Sequence, residues 1–182
     1  MSRPDGPVFV IGVGNILLRD EGVGVRVASE LDRLATSGHV ALPPGTRVVD
    51  GGTLGLDLLP LIDDSRALLM VDAVELGAAP GTVRVLRADE LQTALAGHVS
   101  PHQVGIGDLV AAARLMGTLP DAVALVAIQP GEIAVGLDLT PDVEAALPEA
   151  IRAAVGELRS LAAAAGGPGP GAVRSVATAA TG

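Results

Sequence analysis

The chain has 182 residues and carries 12 Lys and Arg against 21 Asp and Glu, a formal net charge of −9. At 49% hydrophobic and 18% charged it is too apolar to stay unfolded, and its length suits one domain with a buried core. The acidic balance and the single aromatic, Phe9, argue against a nucleic-acid partner, while the lack of cysteine excludes disulfides, thiolate metal sites and thiol nucleophiles.

Residues 1–7 hold an acid and two prolines instead of the pattern of a signal peptide, so the expected address is the cytoplasm. Val8–Val13 is a β-branched run closed by glycine, as expected of a strand buried on both faces. After a loop, Val23, Val27, Leu31 and Leu34 recur at helical spacing. A second strand is predicted from Thr46 to Asp50, ending at Gly51 and Gly52, and a short helix over 56–62, interrupted near Pro60. Residues 67–71 form a third buried strand with Asp72 at its carboxyl end.

Pro80-Gly81 is a turn signal, and the alternation over 82–86 so soon after a strand predicts an antiparallel edge strand. A helix over 104–116 and a strand at Ala122–Ile128 follow. That strand is also the longest unbroken apolar run. A bilayer span needs about 20 such residues, so the mean hydropathy of +0.51 reflects a buried sheet and not a membrane. Thr140-Pro141-Asp142 has the pattern of a helix N-cap, with Val143, Leu147, Ile151, Val155, Leu158 and Leu161 on one face and Pro148 a candidate kink. Residues 1–165 therefore read as a single doubly wound α/β domain, and the Gly/Pro/Ala-rich residues 166–182 as a disordered tail.

Ligands of such sheets sit beyond the carboxyl ends of the strands, which directs attention to 12–21, 50–55 and 72–74. Gly12-Val13-Gly14 after a strand, with Asp50 ending the next, suggests a nucleotide-binding oxidoreductase. Against it, Leu17 stands where a third glycine is needed, and two acids precede the helix where a pyrophosphate wants positive potential. Glu21 could simply favour a helix dipole, and Asp72 could cap a neighbouring helix. His39 reads as a solvated loop residue, whereas His98 and His102 lie just ahead of a helix. Glu21, Asp72 and His102 come from three loops and would supply two carboxylates and an imidazole, a set able to hold a metal with open positions. No G-x-S-x-G, P-loop or H-E-x-x-H is present.

Together, the segment Val10-Ile11-Gly12-Val13-Gly14-Asn15-Ile16-Leu17-Leu18-Arg19-Asp20-Glu21-Gly22-Val23-Gly24-Val25, with Asp50-Gly51-Gly52-Thr53, Val71-Asp72-Ala73 and Ser100-Pro101-His102-Gln103, resembles the hydrogenase maturation endopeptidases. The likeness runs over about residues 8–160. It implies an α/β/α sandwich around a mostly parallel, five-stranded sheet. It also implies an endopeptidase, aspartyl-type or metal-dependent, that removes the carboxyl-terminal extension of a nickel-loaded hydrogenase large-subunit precursor. On this resemblance Glu21, Asp72 and His102 engage nickel, which the substrate presents, and Asp50, Gly51, Gly52 and Thr53 hold the substrate. A precursor-binding chaperone that inspects the metal without cutting is the alternative of a different class.

Overall fold

The structure is a computed structural model and describes residues 6–87, 90, 91, 93 and 105–166. Five strands, β1 Val8–Val13, β2 Thr46–Gly52, β3 Ala67–Ala73, β4 Val83–Arg87 and β5 Ala122–Ile128, form one sheet in the order β2-β1-β3-β5-β4. Every pairing is parallel except β4 with β5, so β4 is the expected antiparallel edge. Among the described residues, the helices with defined bounds are α1 Val23–Thr36, α2 Leu59–Asp63, α3 Ile106–Leu115 and α4 Pro141–Ala164.

The continuous apolar runs in β1 and β3 follow from burial on both faces. Successive side chains of a strand point to opposite sides. Val8 and Val10 of β1, with Leu69 and Val71 of β3, pack under Val27, Leu31, Ala154 and Leu158 of α1 and α4. Phe9 and Ile11, with Leu68 and Met70, pack under Ile62 of α2 and Leu109 and Ala113 of α3. The result is the α/β/α sandwich, with its two cores on either side of the sheet. No helix among the described residues is long and apolar enough to cross a membrane.

Two local expectations shift. The helix expected over 56–62 is a 3-10 turn, Gly55–Leu58, followed by α2, and Pro60 lies in the first turn of α2 instead of breaking it. A first-turn residue needs no N–H donor, which is why proline is tolerated there. The long helix α4 starts after Thr140 as expected and runs through Pro148 as one element, but the Thr140 side chain makes no cap bond to it. The edge strand is tied back to α4, where Arg87 Nε donates to Oε1 of the buried Glu157 at 2.7 Å and Nη2 bonds the other oxygen.

At the amino ends of the strands, Arg66 is 2% exposed just before the central strand β3. Its Nη1 donates to the carbonyl oxygens of Ala162 at 3.3 Å and Gly166 at 2.5 Å, so it closes the carboxyl end of α4, where a cation is favoured. Arg66→Ala is expected to cost about 2–4 kcal/mol, since it opens a cavity and frees two helix-end carbonyls. Arg66→Met, which keeps the stem, should lose less. Urea titration of both variants checks the ranking. The expected tail lies outside the described residues beyond Gly166.

Candidate active site

From β1 the chain passes through α1 to β2 on one side, then crosses to β3 on the other. The carboxyl ends of β1 and β3 are therefore the topological switch point of the sheet, where such folds place ligands. Glu21 and Asp72 both lie there. Asp72 is carried one residue past the Gly12–Val71 pair of the register. Glu21 sits in a 3-10 turn, Arg19–Gly22, that leads into α1.

Two glycines make this approach possible. Gly24, in the first turn of α1, lies so close to the sheet that a Cβ would fall 2.2 Å from the Val71 carbonyl oxygen and 2.3 Å from that of Val13. Gly14 has φ of +132°, and a Cβ on it would lie 1.8 Å from the carbonyl oxygen of Glu21. Of the glycines that suggest a dinucleotide loop, Gly12 serves close packing of strand on helix, a Cβ there falling 2.3 Å from the Gly24 carbonyl oxygen, and Gly14 seats the backbone of Glu21. With two carbonyl oxygens against the start of α1 and two carboxylates beside it, the environment repels a pyrophosphate.

Both carboxylates are under electrostatic strain. Burial raises the Glu21 carboxyl above its ordinary pKa, and its Oε2 has no hydrogen-bond partner among the described residues. Burial pushes the Asp72 carboxyl well above the usual range. One hydrogen bond from the Ala73 N–H, at 2.8 Å to Oδ1, works against this, and the negative charge of Glu21 adds to it. Two desolvated acids in one crevice, one with an orphaned buried oxygen, fit a divalent cation, which would supply the missing partner. Among the described residues no group of three His, Asp or Glu could hold a metal. His102, the third member of the expected set, lies outside the described residues, as does His98. His39 is exposed and bonds Ser37 Oγ at 2.8 Å through Nδ1, as a solvated loop residue would.

Asp50, Gly51, Gly52 and Thr53 close β2 on the far side of β1. In register Asp50 pairs with Gly12, so β2 and β3 stand two strand spacings apart, about 10 Å between backbones. Asp50 Oδ1 accepts from the Gly52 N–H at 3.0 Å, and the Gly52 carbonyl accepts from the Gly14 N–H at 2.9 Å. The turn is thereby tied to the loop that carries Glu21. Asp50 and Thr53 are exposed, and Gly51 is buried.

Two residues escaped the sequence reading. Asp20 is fully buried, and its carboxylate accepts from the N–H groups of Gly131, Glu132 and Thr140 and from the Thr140 hydroxyl, at 2.7–2.9 Å. The Thr140 hydroxyl is thus committed to Asp20, which explains its absence from the cap of α4. Gln129, 4% exposed after β5, accepts from Leu76 N–H at 2.7 Å and Ala78 N–H at 3.3 Å and donates to Glu75, holding the loop that follows Asp72. Their partners lie more than fifty residues away in the chain, and no local pattern signals such pairs.

Residues 25–157 match the family described as hydrogenase maturation protease. The chain is 43% identical over 155 residues to the hydrogenase expression/formation protein HupD of Rhodobacter capsulatus, covering 84% of this chain and 71% of that protein. It is 37% identical over 153 residues to the hydrogenase 2 maturation protease of Escherichia coli K12, covering 84% and 90%. Among solved structures, the hydrogenase maturating endopeptidase HybD from E. coli superposes with a TM-score of 0.75 at 35% identity, over 85% of this chain and 93% of that one.

Proposed function

This chain belongs to the hydrogenase maturation proteases, and from that premise we propose that it cleaves a nickel-loaded hydrogenase large-subunit precursor in the cytoplasm, releasing its carboxyl-terminal extension. The observation that carries the reading is the pair of desolvated carboxylates, Glu21 and Asp72, at the switch point, with Glu21 Oε2 lacking a hydrogen-bond partner among the described residues. The nickel belongs to the substrate. It reaches the crevice in the precursor, where Glu21 and Asp72, with His102, hold it. When present, the ion supplies positive charge able to polarise a neighbouring carbonyl. This chain's own acids do the rest. Both are half-buried and desolvated, so they favour a cation-bearing segment over a bare one. The Asp50–Thr53 turn, about two strand spacings away, lies where a peptide laid across the end of β1 would pass.

A protein substrate also suits the rim. Ile16 and Leu17 are 44% and 58% exposed on the loop before Glu21, and Leu54 and Leu56 are 39% and 44% exposed after β2. These side chains follow the carboxyl ends of β1 and β2 in the chain and offer apolar area to a polypeptide.

The deciding experiment incubates the purified protein with nickel-loaded precursor and weighs the products. Loss of a carboxyl-terminal peptide is expected with nickel-loaded precursor and not with metal-free precursor. An unchanged mass with tight binding would make the chain a non-cleaving chaperone. Glu21→Gln and His102→Ala should each abolish the mass loss and leave the circular dichroism spectrum unchanged.

A further inference from the structure

No hydrogen bond among the described residues fixes Glu21 Oε2. Its position is inherited from the backbone, and that backbone is held to a distant loop, residues 131–140, with unusual thoroughness. Leu18 and Gly136 form an isolated parallel bridge, in which Gly136 N–H donates to the Leu17 carbonyl and Arg19 N–H to the Gly136 carbonyl, both at 2.9 Å. Arg19 has φ of +51°, alone in the left-handed region among the described non-glycine residues. Its guanidinium bonds Glu132 Oε2 at 2.5 Å and the Asp138 carbonyl at 3.3 Å. Strain of this kind persists only where the surroundings over-determine the backbone. Next in the chain, the buried Asp20 gathers its four donors from Gly131, Glu132 and Thr140. Glu21 follows directly, its carbonyl resting on Gly14.

We propose that Asp20, through Gly131, Glu132 and Thr140, is a positioning residue that aims the Glu21 carboxylate into the crevice, so that the loop after β5 sets the cation affinity of a site it does not line. The proposal rests on the reading of Glu21 as a cation ligand. It separates the two adjacent acids by task. Asp20 is saturated by donors and faces inward, whereas Glu21 is left short of donors and faces the switch point. A closed latch of this type keeps Glu21 in place before substrate arrives, so binding need not order it.

Thr140→Val removes one of the four donors, leaves the peptide N–H groups in place and touches neither Glu21 nor Asp72. The test is a double-mutant cycle with Glu21→Gln, read by calorimetric titration of the full chain with nickel alone, together with kcat and KM for precursor cleavage. With Glu21 present, Thr140→Val should weaken nickel binding about 10–100-fold, as loss of an outer-shell partner does, and Thr140→Ser should restore it. In a chain already carrying Glu21→Gln, Thr140→Val should change nickel binding no further, whatever it does to Tm. Equal losses in both backgrounds would mean a general structural role and overturn the proposal. If the unaltered chain takes up no nickel by itself, independent capture of the ion by Glu21 fails, and cleavage then decides. A fall in kcat at unchanged KM with Thr140→Val supports the latch, and an unchanged kcat overturns it.

Discussion

Asp72→Asn is expected to cut precursor processing by more than about a hundredfold while making the metal-free protein more stable. The two effects have one cause. Burial raises the Asp72 carboxyl far above its ordinary value of 3.8, and the nearby charge of Glu21 raises it further, so the folded state resists its ionisation. Asparagine keeps the oxygen that accepts from the Ala73 N–H and removes the charge. The sign follows from proton binding. Above pH 3.8 the unfolded chain loses this proton while the folded chain retains it, so stability falls as pH rises from there toward the raised folded value. The gain from Asp72→Asn should therefore be largest at neutral pH and vanish as pH approaches 3.8. For a domain of this size each kcal/mol recovered moves Tm by about 2–4 °C. Thermal melts of both proteins in chelator across that range check it, and a variant less stable than its parent at neutral pH would mean that Asp72 is charge-paired in solution. Stability surrendered at Asp72 is the expected mark of a residue kept for binding.

What was legible in the sequence divides along physical lines. The continuous runs of β1, β3 and β5 declare burial on both faces, and a parallel sheet then puts their carboxyl ends together, so 12–21 and 72–74 could be marked as neighbours without coordinates. The edge strand was legible from Pro80-Gly81 and from the shortness of the connection, which is too brief for a crossover. Thr140 was half legible. Its place before α4 follows from local pattern, but its hydroxyl goes to Asp20, 120 residues earlier in the chain. Asp20 itself looked like one of two equivalent acids. Only tertiary structure distinguishes the acid with four donors from the acid with an orphaned oxygen. The family resemblance implies a substrate-binding role for Asp50, and its Oδ1 also closes its own turn on Gly52.

The two glycines flanking Glu21 should fail in different ways when given a methyl group. Gly24→Ala drives a Cβ into the carbonyl oxygens of Val71 and Val13, at 2.2 and 2.3 Å, and both belong to interior strands that cannot retreat. The helix α1 must lift from the sheet, and the core of Val8, Val10, Val27 and Leu31 loosens with it. Overpacking of this sort costs about 1–3 kcal/mol, so a lowered Tm and weaker expression are expected, with processing lost in proportion to folded protein. Gly14→Ala clashes with the Glu21 carbonyl, its oxygen at 1.8 Å, and places alanine at a φ of +132° that L residues rarely adopt. That obstruction lies in a loop outside both cores, so the fold survives and the turn Arg19–Gly22 moves instead. Gly14→Ala should therefore retain most of the thermal stability yet lose processing as completely as Glu21→Gln. A Gly14→Ala protein that cleaves precursor at the normal rate would show that the placement of Glu21 does not limit the reaction, and would remove the reason for the backbone geometry that seats it.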